Sequence, residues 1–327
     1  MDNIILDPPP PAAEPVINYS LKFHGNGGDF FGIVIINWLL TAITLGLYYP
    51  WAKARKLQYL YGVTELNGSR FSFHGTGKEM FKGFIKAILI FAIVFAGFYI
   101  FIWMRMLMVG MLFFYAGFLS LIPLAIHGSY KYRMSRTTWR GIRFGYRGNR
   151  SELYQKFFKW VFLTIITFGI YGAWLAMNLR NYVISNVRFG NLNFKYRGVG
   201  GDFLWLIIKG YFLSIITLGI YIFWWYKELF DYYVNNLSLH DEERIIKFKS
   251  TARGGQIFGL LVVNLFILIF TLGLGYAWVV TRSLNFVFAH IELTGDIDLD
   301  QLSQTETNYT DATGEDVGDL LDFEFVI

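Results

Sequence analysis

Seven polar side chains sit inside or beside long apolar runs of this 327-residue sequence, and they are the first place to look for chemistry. Asn37, Lys159, Lys209 and Asn264 fall in one set of runs. Arg55, Arg180 and Arg282 follow soon after the stretches TLGLYYPW, TFGIYGAW and TLGLGYAW. When these near-copies are superposed, Lys159 and Lys209 share a position, Asn37 and Asn264 share the next, and Arg55 and Arg282 both come four residues after the Trp. A charge in hydrocarbon is costly and usually faces a cavity or a partner, so the set reads as a polar pathway within a membrane. The rival reading is a set of stems that snorkel to the near interface.

A second constellation is a basic position that recurs in short aromatic motifs. LKFHG, FSFHG, FGYRG and FKYRG place His24, His74, Arg147 and Arg197 in register. Packed around an axis, the four would form a cytoplasmic basic patch for anionic lipid headgroups, each cation contributing about 1 kcal/mol near such a surface. Plain positive-inside bias is the alternative. Catalytic signals are poor. The five histidines lack metal-ligand spacing, and there is no G-x-S-x-G, P-loop or H-E-x-x-H. The expectation is a protein that is not an enzyme, with no cofactor and no metal, whose partner is the lipid bilayer rather than nucleic acid.

Composition sets the class of element that must carry these residues. Hydrophobic residues make up 54%, aromatics 20% and charged residues only 16%, where a soluble domain carries about a quarter charged. Residues 84–126 hold only Lys86 and Arg105 as charges, enough for two crossings of roughly 20 residues each. Segments 30–51, 157–179, 203–226 and 256–281 are also apolar. Cysteine is absent, which leaves no disulfide framework.

The chain also repeats itself. TLGLYYPW at 44–51 returns at 167–174, 217–224 and 271–278, and the aromatic motifs open units at 21, 71, 144, 194 and, in degraded form, 248. The spacing predicts five tandem units: 21–70, 71–143, 144–193, 194–247 and 248–291. The second keeps PLA where the first has PWA, and carries extra apolar residues in place of TLG. Each unit reads as a short strand, a Gly-rich turn, and a helix starting at Asp29, Glu79, Glu152, Asp202 or Gln256. These cap helices or, on the rival reading, relay protons.

Lys and Arg crowd the strand motifs and avoid the TLG turns. The strand motifs are therefore expected on the cytoplasmic side, with each unit crossing an even number of times and both termini inside. The expected fold is an all-α polytopic membrane protein, five tandem helical hairpins joined by short cytoplasmic strand motifs. TLG makes the hairpin tip, with Tyr and Trp in the far aromatic belt. Short, polar return helices such as WAKARKLQYLYG leave open that some hairpins are re-entrant and only the second unit spans.

The stretch FHGNGGDFFGIVIINWLLTAITLGLYYPWAKARKLQYLYGVTELNGSRFSFHG (23–75) resembles the YjgN-like family of bacterial inner-membrane proteins, and the likeness runs through residues 20–290. The family is a domain of unknown function, so the resemblance implies a multipass protein of the bacterial cytoplasmic membrane and carries over no site residues. Flanking the units are a Pro-rich acidic arm, 1–20, read as disordered, and an acidic tail, 292–327, with 11 acids and no Lys or Arg. LLDFEFVI at the end alternates apolar and acidic and would add as a strand to a partner's sheet. Two functions stay open: transport of a small solute or lipid, or a non-transporting scaffold that binds anionic lipid or a cytoplasmic partner.

Overall fold

The computed structural model describes residues 17–242 and 244–305. Ten helices form five antiparallel pairs: α1 (Gly27–Ile43) with α2 (Tyr49–Gly62), α3 (Gly77–Trp103) with α4 (Leu107–Arg136), α5 (Arg150–Ile166) with α6 (Gly172–Ser185), α7 (Gly200–Ile216) with α8 (Ile222–Asn235), and α9 (Gly254–Phe270) with α10 (Tyr276–Ala289). Neighbouring pairs pack side by side, and α10 packs back on α1 to close a ring.

The expected all-α fold is wrong. The segments between helix pairs are strands of one 11-stranded antiparallel sheet: β1 (Ile17–Tyr19), β2 (Leu21–Phe23), β3 (Thr64–Leu66), β4 (Ser69–Phe73), β5 (Thr137–Trp139), β6 (Ile142–Tyr146), β7 (Val187–Phe189), β8 (Leu192–Tyr196), β9 (Leu237–Asp241), β10 (Arg244–Ser250) and β11 (Ile291–Gly295). Their order is β1-β11-β10-β9-β8-β7-β6-β5-β4-β3-β2. The two edge strands are consecutive in the chain, parted only by Ser20, so the sheet curls almost into a barrel. Burial explains the error: strands of three to seven residues cannot stand alone, and only tandem hairpins with partners in the neighbouring units bury them.

Inside the curl lies the main core, built from Trp139, Phe144, Phe189, Leu192 and Ile246 of the strands and Ile126, Leu179 and Val183 of α4 and α6. Phe144 and Phe189, paired across β6 and β7, stack at 4.4 Å. Trp139 is fully buried and donates its indole N–H to Ser69 O at 3.0 Å. Past β11, Ile297 and Leu299 return into this core, and the Tyr19 hydroxyl donates to Ile297 O at 2.5 Å. Thus the first part of the predicted acidic tail is built into the fold. Residues 1–16 of the arm and 306–327 of the tail, with LLDFEFVI, lie outside the described residues.

Ten crossing helices are not found either. Among the described residues only α3 and α4 are long and apolar enough to cross a membrane, and their apolar windows are only 11% and 28% buried. At a 1.5 Å rise they reach about 40 and 45 Å, against a hydrocarbon layer of about 30 Å. The other first helices have 17 residues and their return helices 14, or about 26 and 21 Å.

The TLG turn has one construction throughout. Leu45 takes φ 51° and Gly46 φ 92°, and Phe168, Leu218 and Leu272 repeat the left-handed Leu45 geometry. The Thr44 hydroxyl donates to Leu40 O at 2.7 Å and accepts Tyr48 N–H at 3.0 Å, so one side chain closes α1 and opens the turn to α2. Thr167, Thr217 and Thr271 do the same. The Trp residues are not a far-side belt. Trp51, Trp174, Trp224 and Trp278 pack on the first-turn glycines of the next pair, Gly77, Gly200, Gly254 and Gly27. The one seam without this contact is α4–α5, where Leu124 stands for the Trp and Arg150 for the Gly.

Of the five residues expected to cap helices, Glu79 and Gln256 accept the N-cap N–H, whereas α1 and α5 are capped by Asn26 and Asn149 rather than by Asp29 and Glu152, and α7, with Asp202, has no side-chain cap. Thr76 and Glu79 form a reciprocal capping box, and Asn26 and Asn149 accept first-turn N–H groups.

Candidate functional site

The seven polar residues of the apolar runs do not converge. Asn37 is buried and donates to Ala52 O at 3.2 Å, within its own hairpin. Asn264 is buried and donates to Ser283 Oγ at 3.0 Å, again within its hairpin. Lys209 pairs with Glu228 at 2.6 Å across α7 and α8, and Glu228 also accepts the Tyr221 hydroxyl at 3.0 Å. Arg55, Lys159 and Arg282 are exposed. Arg180 alone is buried toward the core, its guanidinium 4.2 Å from the Tyr233 ring and 4.9 Å from the Tyr196 ring. The reason is helical geometry: a polar residue on a first helix meets the facing turn of its own return helix before it can meet another unit. Glu228, the partner of Lys209, escaped the sequence reading, although its place four residues after Trp224 matches Arg55 and Arg282.

The four basic strand positions are spread around the rim, one per helix-pair junction, and form no patch on an axis. Each backbone N–H donates to the carbonyl closing a return helix: His24 to Val63, His74 to Arg136, Arg147 to Asn186 and Arg197 to Asn236. Their side chains then diverge. His24 lies 3.0 Å from Glu65, and His74 lies 2.9 Å from the Thr138 hydroxyl. Arg147 and Arg197 are exposed.

Arg197 does gather cations, though not the expected ones. A cleft of about 350 Å³ opens between the end of α8 and strands β9 and β10, lined by Arg197, His240, Lys247 and Lys249 with Ser238 and Asn236. Lys247 and Lys249 are two apart in RIIKFKS and so share one face of β10. That K-x-K spacing was the legible signal. His240 is buried, and its Nε2 lies 2.9 Å from Ser238 Oγ. Burial, with Lys195 and Arg197 nearby, holds its imidazole below the ordinary range. The acid opposite is Glu292, paired in register with Lys249. A cleft of three exposed cations at the boundary between sheet and helices suits a phosphate group. A second cavity of about 420 Å³ adjoins it, sharing Asn235 and Asn236, and runs into the α7–α8 hairpin past Lys209 and Glu228.

A pair of long, largely exposed apolar helices and four shorter apolar-tipped hairpins above a charged sheet are the features of a membrane protein. The chain belongs to the family described as "Bacterial protein of unknown function (DUF898)", whose match covers residues 18–207 and 225–320. Curated relatives carry the name Inner membrane protein YjgN. The Escherichia coli O157:H7 protein is 36% identical over 135 residues, 40% of this chain and 32% of the relative. The K12 protein is 48% identical over 66 residues, 20% of this chain and 17% of the relative. The Salmonella typhimurium protein is 30% identical over 139 residues, 40% and 32%. The matched part therefore spans about a third of those relatives' length or less. No solved structure matches the chain.

Proposed function

We propose that the protein is a multipass inner-membrane protein that engages anionic phospholipid without moving a solute across the bilayer and without catalysing a reaction. The α3–α4 hairpin crosses, and the four shorter hairpins enter from the sheet side. The sheet and both termini face the cytoplasm, in keeping with the Lys and Arg around the strand motifs. The observation that carries the reading is the cleft of Arg197, Lys247 and Lys249, at the level where the apolar helices meet the charged sheet. Transport is the rival, and the seven polar residues argue against it: Asn37, Asn264 and Lys209 bond within their own hairpins, Arg55, Lys159 and Arg282 lie exposed, and Arg180 packs on the Tyr196 and Tyr233 rings, so they line no one route.

The test is lipid binding. Purified protein is reconstituted with vesicles of phosphatidylglycerol in phosphatidylcholine, and bound anionic lipid is measured against salt. Changing Arg197, Lys247 and Lys249 together to Gln removes up to about 3 kcal/mol at about 1 kcal/mol each, a loss of up to about a hundredfold. Unchanged retention of phosphatidylglycerol sinks the proposal, and solute flux that Lys209→Ala abolishes favours transport.

A further inference from the structure

The cleft of Arg197, Lys247 and Lys249 carries more positive charge than a phosphodiester can answer, and strand register shows how that charge is assembled. Lys195 of β8 and Lys247 of β10 both pair with Ser238 of β9, and Lys247 pairs in turn with Thr294 of β11. Side chains in register share a face. An amine, a hydroxyl, an amine and a hydroxyl therefore stand in one row across four strands. The row faces away from the core, because the adjacent residues Phe194, Leu239, Ile246 and Leu293 pack into it. Arg197 and Lys249 lie two residues beyond Lys195 and Lys247, and line the cleft with Lys247.

Charge narrows the ligand. Among the described residues none of Arg197, Lys247 and Lys249 is in an ion pair, and no carboxylate lines the cleft. Glu292, in register with Lys249, offsets at most one of the three cations. Two remain, and Lys195, close enough to act on the His240 ring, adds another. A phosphodiester brings a single negative charge. A phosphomonoester brings about 1.5 to 2 at neutral pH, with three terminal oxygens to accept hydrogen bonds. The hydroxyls complete the donor set. Ser238 Oγ lies 2.9 Å from His240 Nε2, and a ring that donates there leaves the Ser238 proton for an oxygen in the cleft.

We propose that this cleft binds a phosphomonoester dianion in preference to a phosphodiester, so that the lipid it holds is one whose headgroup is a bare phosphate. The preference rests on the lipid reading of the cleft and narrows it to one headgroup class. A soluble phosphomonoester offers the same chemistry, and the test separates the two.

The full chain is reconstituted in phosphatidylcholine discs carrying phosphatidate, phosphatidylglycerol or cardiolipin, and the retained lipid is measured at neutral pH. Phosphatidate is expected to be held about tenfold more tightly than phosphatidylglycerol, the effect of one further charge-assisted hydrogen bond. Lys247 is exposed, so Lys247→Gln leaves the core intact, and it is expected to bring phosphatidate down towards the phosphatidylglycerol level. Cardiolipin, a dianion made of two phosphodiesters, controls for charge alone: if it matches phosphatidate, the monoester is not what is read and the proposal falls. Glycerol phosphate in solution tells the sources apart. Competition only at millimolar concentration supports the lipid. Displacement of phosphatidate at micromolar concentration makes the soluble ester the ligand and overturns the lipid assignment. Equal retention of phosphatidate and phosphatidylglycerol above the phosphatidylcholine background overturns the preference and leaves the anionic-lipid reading standing. Retention of neither, with no binding of glycerol phosphate, overturns both.

Discussion

Gly77, in the first turn of α3, lies so close against the indole of Trp51 on α2 that a Cβ on the glycine would overlap the ring. The same pairing joins Trp174 to Gly200, Trp224 to Gly254 and, closing the ring, Trp278 to Gly27. The Trp of one hairpin thus occupies the side-chain space of the next hairpin's first residue, and this is what two of the repeated motifs do for each other.

Gly77→Ala is expected to cost about 1–3 kcal/mol through overpacking, seen as a lower Tm in detergent. Gly32→Ala is the control. It lies on α1 with nothing within 4 Å of the added Cβ, and is expected to gain up to about 1 kcal/mol of helix propensity. Equal Tm values for the two variants would show that the Trp51 contact is slack.

Lys209 and Glu228 form a different kind of tie, an ion pair of 2.6 Å between two partly exposed side chains. Lys209→Met strands the Glu228 carboxylate and is expected to destabilise by about 1–2 kcal/mol, less than the 3–5 of a fully buried pair. Adding Glu228→Leu is expected to recover most of that loss, because an apolar pair no longer needs solvation. Thermal melts of the two variants decide it: a double variant no more stable than the single one refutes the coupling.

How these ties were readable differs by their range in the chain. The TLG turn was legible because Thr, Leu and Gly all act within eight residues. The sheet was not. FSFHG reads as a strand, but its partner TTW at 137–139 lies beyond a long hairpin, and no local period marks three residues as a strand. One signal was present and passed over: ELNGSRF, with Asn67 at φ 49° and Gly68 at φ 79°, is a hairpin turn between alternating residues. WRG at 139–141 repeats it. Of the candidate residues, Arg197 lies in the cleft because its motif fixes it at a junction. Its companions Lys247 and His240 come from β9 and β10, whose pairing was invisible.

His240 gives the fold a dependence on pH. Burial, then Lys195 and Arg197, hold its imidazole below the ordinary 6.5. As pH falls, the unfolded chain takes up this proton first, so the unfolded state gains. The stability that the neutral ring contributes is complete above 6.5 and is lost as pH drops through 6.5 to the lower folded value. Wild type is expected to lose stability across that window, while His240→Gln, which can still bond Ser238, stays flatter. Parallel pH profiles from denaturant melts would remove His240 as the cause.

The hairpin tips test how deep the ring sits. Leu45, Leu218 and Leu272 are each 93% exposed and Phe168 98%, each in a left-handed conformation that costs about 1–2 kcal/mol. Large apolar side chains set out this fully at a strained turn suit hydrocarbon rather than water. The hairpins they end are about 26 Å long or less, so on the proposed topology their tips stop within the bilayer. The α3–α4 tip at Met104–Met106 stands at the end of helices of 27 and 30 residues, long enough on that topology to pass through it. The chain has no cysteine, so Leu45→Cys, Leu218→Cys and Met106→Cys each offer a single label site. A membrane-impermeant maleimide applied to intact cells is expected to label Met106→Cys and leave the two Leu variants unlabelled. Labelling of Leu45→Cys and Leu218→Cys at the rate of Met106→Cys would mean that the short hairpins also break the outer surface, and the ring would then have to sit deeper, with the cleft of Arg197 and Lys247 drawn into the headgroups.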